Sequence, residues 1–243
     1  MTERCIAAST LTDTLSCVVL FDIDGTLVTG PRRHRSAGVR AMDAASRAAA
    51  GQPSRFSGAD YAGRTDRQIA RMLLVDGGIS SPTPQEIDSL IERYVAALQI
   101  EIAHHPFRLL GYPREAVLRL RTLGARVGLG TGNVRAGARL KLSSAGIADL
   151  FDFSRGGFGE DGETRTELLR NGATMLDPER RLPVVIIGDT PYDIEGARGM
   201  GACSVGVPFG HNSRSDLNDA GADAVVDTID HTLADVVRRL VSE

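Results

Sequence analysis

A Rossmann-like α/β fold, its parallel-sheet core interrupted by an inserted α-helical domain, is what this 243-residue sequence predicts. Three observations carry that prediction. From Pro113 onward, short apolar runs alternate with segments of helical periodicity, the pattern of a parallel sheet wrapped by helices. Well before that region, the apolar, β-branched run Cys17 to Phe21 stands alone, as a strand buried on both faces should read. Between the two lies an Ala- and Arg-rich stretch of helical period without strand-like runs.

Residues 1–16 read as a loosely ordered extension, and Cys17 to Phe21 is the first strand. Helices are predicted over Ala37 to Ala50, Asp66 to Val75 and Pro84 to Ala103, separated by the turn-rich Gly51-Gln52-Pro53, Asp76-Gly77-Gly78 and Ser81-Pro82-Thr83-Pro84. Thr83 or Ser81 is suited to cap the helix that Pro84 opens. Helix Arg114 to Leu123 leads to strand Arg126 to Gly130, and helix Ala136 to Ser144 to a short strand Leu150 to Phe153. Helix Arg165 to Leu176 leads to strand Val184 to Ile187, helix Asp193 to Met200 to strand Ala202 to Val207, and Ala224 to Val226 is an edge strand before a closing helix. The expected organisation is therefore a core of residues 17–31 and 112–243 interrupted by a helical block of residues 32–111.

Composition narrows the function. A formal charge of -3 offers no basic footprint for nucleic acid. Cys5, Cys17 and Cys203 have no metal-ligand spacing and are odd in number, so a reducing cytoplasm is the expected setting. The N-terminal stretch reads neither as a signal peptide nor as a membrane span. Lys141 is the only lysine, so other cations at a site must be arginines.

Asp22-Ile23-Asp24-Gly25-Thr26 comes directly after the first strand, where open parallel sheets place their ligand crevice. Residues i and i+2 of an extended segment face one side, so both carboxylates point into one small site, and Gly25 permits a sharp turn beyond them. Two close anions are tolerable beside a divalent cation, or with one protonated. A plain Asp-Gly surface turn reads similarly, and the other strand ends decide between them. Val184 to Ile187 runs into Gly188-Asp189-Thr190-Pro191-Tyr192-Asp193, with Asp193 also placed to cap a helix. Val127 to Gly130 ends in Thr131-Gly132-Asn133, a hydroxyl and backbone donors just before a helix, suited to cradle an anion.

Asp-x-Asp-Gly-Thr, a Thr closing the second core strand and Gly-Asp-x-x-x-Asp, in that order, resemble the haloacid dehalogenase superfamily from Cys17 onward, and the helical block resembles its C1-type cap. The resemblance implies a Rossmann-like core with an α-helical cap, and a phosphoryl-transfer enzyme using Mg²⁺, the cation that an oxygen-only site suits. It implies Asp22 as nucleophile forming an aspartyl-phosphate, and Asp24 as acid and then base with its backbone carbonyl on the metal. Thr131 with the amides around Gly132 and Asn133 would hold the phosphoryl oxygens. Asp189 would bind the metal, with Asp193 as ligand or orienter. The family's third motif is a lysine or arginine. Arg165 fits its order in the chain, with Arg155 as main competitor and Lys141 as the remaining candidate.

An acid at Asp24 favours phosphoryl transfer over halide displacement, and the lack of lysine in residues 31–112 argues against a Schiff-base phosphonate cleaver. Hydrolysis of a small phosphorylated metabolite by a monomer or homodimer is the expectation; a sugar-phosphate mutase and a non-catalytic phosphoester binder are the alternatives. Gly63-Arg64-Thr65-Asp66 resembles a cap segment of phosphoglycolate-phosphatase-like members, so Arg64 is a candidate substrate contact, although Thr65 or Asp66 reads equally well as a plain helix cap with Arg64 solvated. Three features carry less. Gly128 to Asn133 mimics a dinucleotide fingerprint but lacks the last glycine. His104-His105 have no zinc-like partner spacing. Phe209-Gly210-His211-Asn212 reads as a surface loop as readily as a crevice wall.

Overall fold

The computed structural model describes residues 14–31, 35–51, 55–56, 58–210 and 212–242. The chain opens with β1 (Val18–Phe21) and the two-residue β2 (Val28–Thr29), then enters α1 (Ala37–Ala50), α2 (Gly58–Tyr61), α3 (Asp66–Asp76) and α4 (Pro84–His104). It returns through β3 (Arg108–Leu109) to α5 (Pro113–Thr122), β4 (Arg126–Leu129), α6 (Arg135–Ser144), α7 (Arg165–Leu176) and β5 (Val184–Gly188). It ends with α8 (Pro191–Met200), β6 (Cys203–Gly206), α9 (Arg214–Asp219), β7 (Ala224–Val225) and α10 (Leu233–Ser242).

Among the described residues, β1 lies inside a parallel sheet of order β4-β1-β5-β6-β7. Every residue of β1 is buried, because helices cover both faces of the sheet. Val19 and Phe21 belong to a cluster with Val117, Leu120, Leu142 and Val237, whereas Val18 and Leu20 pack with Leu168, Leu169 and Leu176 of α7. Leu73, Ile87, Leu90 and Leu98 of the inserted helices join the first cluster, so the insertion is seated on the core through apolar contact. Strand register sets the position of the crevice. Phe21 is paired with both Leu129 and Ile187, which brings the ends of β1, β4 and β5 level. Neighbouring strands lie about 4.8 Å apart, so residues leaving these three ends share one crevice.

Several local expectations change. The stretch between Gly30 and Tyr112 is not purely helical, since β3 pairs antiparallel with β2 to form a small two-stranded sheet where the insertion leaves and rejoins the core. Leu150 to Phe153 is no strand. Ala148–Leu150 forms a 3-10 turn, and the carbonyls of Leu150 and Phe153 accept from Arg121 and Arg135 instead of a neighbouring strand. Apolar Phe151 and Phe153 are buried all the same, which explains the strand-like reading. Thr83, rather than Ser81, caps α4, and Thr65 caps α3, each in a reciprocal capping box. Helix α8 starts at Pro191, two residues before Asp193, and the short α2 and α9 add to the expected elements. Residues 1–13 of the expected extension and His211 lie outside the described residues. No described helix is long and apolar enough to cross a membrane.

Candidate active site

The level strand ends bring the acids together. The Asp22 amide donates to Ile187 at 2.9 Å, fixing Asp22 beside the end of β5, and the Gly130 amide donates to Phe21 at 2.8 Å on the other side. Beyond Asp22 the chain turns sharply, with the Ile23 carbonyl accepting from the amides of Thr26, Leu27 and Val28. Gly25 makes this turn at φ 83°, in the left-handed region that glycine occupies without strain. A Cβ there would lie 2.1 Å from a carboxylate oxygen of Asp189, so the glycine also makes room for that side chain.

Asp22, Asp189 and Asp193 each offer an oxygen within 4.8 Å of the others, and all three are buried. Arg165, at the first position of α7, reaches Asp22 at 2.8 Å and also pairs with Asp193. Thr190 opens α8 and donates to the other Asp193 oxygen from its amide at 3.1 Å and its hydroxyl at 2.7 Å, so both Asp193 oxygens are occupied. One guanidinium thus pairs with two of the three clustered carboxylates. Burial pushes the Asp22 carboxyl up to about 6 against the attraction of Arg165, with Asp193 and Asp24 adding to the rise. Burial and the charges of Asp22, Asp193 and Asp24 raise Asp189 well above the usual carboxylate range. Burial works against the Arg165 charge, but Asp193 and Asp22 more than offset it. An oxygen-only, over-charged, buried cluster of this kind fits a hard divalent cation, with Asp193 set apart as the carboxylate whose two oxygens are both taken by Arg165 and Thr190.

The Thr131-Gly132-Asn133 turn faces the same crevice. The Thr131 amide is used by the Gly157 carbonyl at 2.9 Å, and the Asn133 amide turns to the Thr131 hydroxyl at 3.3 Å. The Asn133 side chain is a junction, donating to the Thr131 hydroxyl at 2.9 Å and to Asp24 Oδ2 at 2.8 Å. Lys141, one helix turn and more into α6, extends to the same Asp24 oxygen at 2.6 Å. Of the three candidate cations, Arg165 therefore touches Asp22 and Lys141 touches Asp24. Arg155 lies elsewhere, donating to the Met175 carbonyl at the end of α7 at 2.9 Å.

Residues of the inserted stretch contact this region. The Gly63 backbone lies against the Tyr192 ring, where a Cβ would come within 2.2 Å of a ring carbon. The Arg64 carbonyl abuts Gly132, the Asp66 amide donates to the Gly132 carbonyl at 2.8 Å, and the Gln68 side chain donates to the Glu163 carbonyl at 3.0 Å. It is the Arg64 backbone that meets the glycine of the Thr131 turn; the Arg64 Nε donates to the Asp60 carbonyl at 2.9 Å, an exposed contact. Of the two adjacent histidines, His104 is exposed and His105 half-buried.

In the sequence Asp66 reads only as a helix-start residue, yet its carboxylate is buried and accepts from the Val134 amide at 2.8 Å. Burial raises its carboxyl to about 7, against the attraction of Lys141 and the Val134 amide. Because the folded value lies above that of the unfolded chain, the associated stability is present at low pH and is lost as pH rises towards 7. Asp66→Asn keeps the acceptor without the charge, so its melting temperature relative to the wild type should climb as pH rises from about 4 to about 7 and level off above that. Equal melting curves across that range would show that Asp66 is not held protonated.

Comparison with known proteins gives a consistent picture. Residues 18–201 match the family of haloacid dehalogenase-like hydrolases. A phosphoglycolate phosphatase of Colwellia psychrerythraea is 25% identical over 229 residues, covering 91% of this chain and 97% of that protein. CbbY from Rhodobacter sphaeroides, solved in complex with phosphate, superposes with a TM-score of 0.67 at 18% identity, over 88% of this chain and 95% of that one. A hydrolase from Pseudomonas syringae gives a TM-score of 0.65 at 21% identity, over 91% and 98%. At these identities the two solved structures speak to the fold alone.

Proposed function

Because the chain belongs to the haloacid dehalogenase-like hydrolases, we propose that it is a Mg²⁺-dependent phosphatase that hydrolyses a small phosphate monoester through an aspartyl-phosphate on Asp22. The observation that carries this reading is the convergence of Asp22, Asp189 and Asp193, two of them paired with the Arg165 guanidinium, at the level ends of two adjacent strands.

In the first step an Asp22 oxygen bonds to phosphorus as the bond to the leaving oxygen breaks, and Asp24 gives that oxygen a proton. In the second, Asp24 takes a proton from water, whose oxygen attacks phosphorus, releasing phosphate and restoring Asp22. Arg165 holds the nucleophile in line and offsets charge on the phosphoryl group. Thr131 and the Gly132 backbone flank the phosphoryl oxygens, with Asn133 orienting Thr131 and Asp24. Asp22, Asp189 and the Asp24 carbonyl would hold the cation, and Asp193 acts by orienting Arg165. Bound Mg²⁺ supplies neutralisation of the phosphate charge, which lets one anion approach another.

Residues 17–31 and 112–243 form the catalytic core in this reading, and 32–111 the cap, whose Gly63 to Asp66 segment shuts the crevice from water. Arg64, on that segment, is the candidate contact for the non-reacting part of the substrate. The setting is the cytoplasm, and the substrate a phosphorylated metabolite. Phosphoglycolate heads the test panel, on the strength of the Colwellia relative.

The experiment is a phosphate-release screen over metabolite monoesters with and without Mg²⁺. Release that depends on Mg²⁺ supports the reading. Exchange between isomeric sugar phosphates without free phosphate would replace it with a mutase, and binding without turnover with a phosphoester binder. A second measurement concerns the metal. Cation binding competes with protons at Asp22, whose carboxyl burial pushes up to about 6. At a Mg²⁺ concentration 100 times its Kd, the melting temperature should rise by about 5–10 °C at pH 8. The rise should shrink as pH falls through 6, and a rise independent of pH would count against carboxylate ligation.

A further inference from the structure

Lys141 is the one lysine of the chain, and it is buried. Its ammonium donates to Asp24 Oδ2 at 2.6 Å and to the Asn133 side-chain oxygen at 2.5 Å. Helices of the insertion enclose the other side. A Cβ added to Gly137, one turn before Lys141 on α6, would lie 3.6 Å from both the Tyr94 hydroxyl of α4 and an Asp66 oxygen of α3, the Phe107 ring centre is 5.6 Å from Nζ, and a Cβ added to Gly38 of α1 would lie 3.5 Å from Nζ.

Burying an ammonium costs several kcal/mol, and a neutral side chain of similar volume would fill the space without that cost. The charge is retained at the one place where it grips a carboxylate of the crevice. It grips only one end, since the Asp24 side chain remains 44% exposed while that of Lys141 is 6% exposed. Asn133 joins the same Asp24 oxygen to the Thr131 hydroxyl, so the three groups are held as a unit.

We propose that Lys141 is a positioning residue that seats the Asp24 carboxylate for proton transfer to the leaving oxygen. The inference rests on the phosphatase reading above and deepens it. Lys141 touches neither phosphorus nor the leaving group; it acts by fixing where Asp24 presents its free oxygen. Arg165 serves the nucleophile, and Lys141 serves the acid.

The test compares the full-length wild type, Lys141→Met and Asp24→Asn with Mg²⁺ on 4-nitrophenyl phosphate and on propyl phosphate, reading kcat/KM. That ratio reports transfer to the enzyme, not the later hydrolysis. A nitrophenolate leaves with little help, whereas an alkoxide needs a proton. Lys141→Met should lower kcat/KM for propyl phosphate by about 100-fold or more, the scale of general-acid catalysis, and for 4-nitrophenyl phosphate by less than about 5-fold. Asp24→Asn should show the same selectivity. Equal losses on both esters, unchanged rates or the opposite selectivity would overturn the role. Should Lys141→Met fail to fold, Lys141→Gln, which keeps donors in the same space, is read by the same criterion. A wild type that releases phosphate from neither ester nor any metabolite would sink the phosphatase reading itself, whereas an active wild type with unselective variants sinks this inference alone.

Discussion

Asp22→Asn is expected to lower Mg²⁺-dependent phosphate release by at least about 10³-fold while leaving the protein folded, because the amide has the shape of the carboxylate without its nucleophilic oxygen. The structure sharpens this beyond a loss of activity. Asp22 is buried, and its ionisation is opposed first by burial and then by Asp193 and Asp24. Removing its charge relieves that repulsion, so without Mg²⁺ the variant should melt above the wild type at pH 8. With Mg²⁺ the order should narrow, since the variant has lost a ligand. Acid-quenched wild type mixed with substrate should carry phosphate on the residue 22 peptide, and the variant none. A variant retaining a tenth of the wild-type rate would remove Asp22 from the covalent step.

Gly25→Ala is the second large effect, and it arises from geometry rather than from a reacting group. The residue adopts φ 83°, and an added Cβ would lie 2.1 Å from one Asp189 oxygen and 2.5 Å from its carboxyl carbon. The backbone strain alone costs about 1–2 kcal/mol, which for a chain of this size lowers the melting temperature by about 2–8 °C. The greater consequence is displacement of the Asp189 carboxylate. A shift of about 1 Å in a catalytic group can cost on the order of 10²-fold in rate, and the Mg²⁺-induced rise in melting temperature should vanish with it. Measured side by side, kcat and the Mg²⁺ shift should fall together. A variant with full activity and a normal Mg²⁺ response would mean that Asp189 does not need the space that Gly25 leaves.

The parallel core is legible because each of its central strands is buried on both faces and so reads as an unbroken apolar run, as in Val18 to Phe21 and Val184 to Ile187. The longer helices are legible from period and capping residues; α1, for example, spans the residues expected of it. Burial without pairing looks the same as a strand, which is why Leu150 to Phe153 reads as one and is not. The two-residue β2 and β3 carry too little pattern to be seen, whereas β7, equally short, reads through the apolar run that continues into Val226; the short α2 and α9 go unseen as β2 and β3 do. In the site, acids at strand ends stand out because a carboxylate just after an apolar run is conspicuous. The environments of Lys141 and Asp66 do not, since a lysine or aspartate within a helix looks the same whether it faces solvent or another helix.

Local chemistry along the chain is enough to establish a layered α/β core, an interrupting block of helices, and acidic and donor-bearing turns where strands stop. These are properties of neighbours in sequence, set by side-chain polarity and backbone preference. Which turns meet is a different matter, decided by the pairing of Phe21 with Leu129 and Ile187, contacts between residues more than one hundred positions apart. The partners of the cations likewise depend on how α6, α7 and the inserted helices pack, because the energy of an ion pair depends on distance and on the water excluded around it. That packing assigns Arg165 to Asp22 and Lys141 to Asp24.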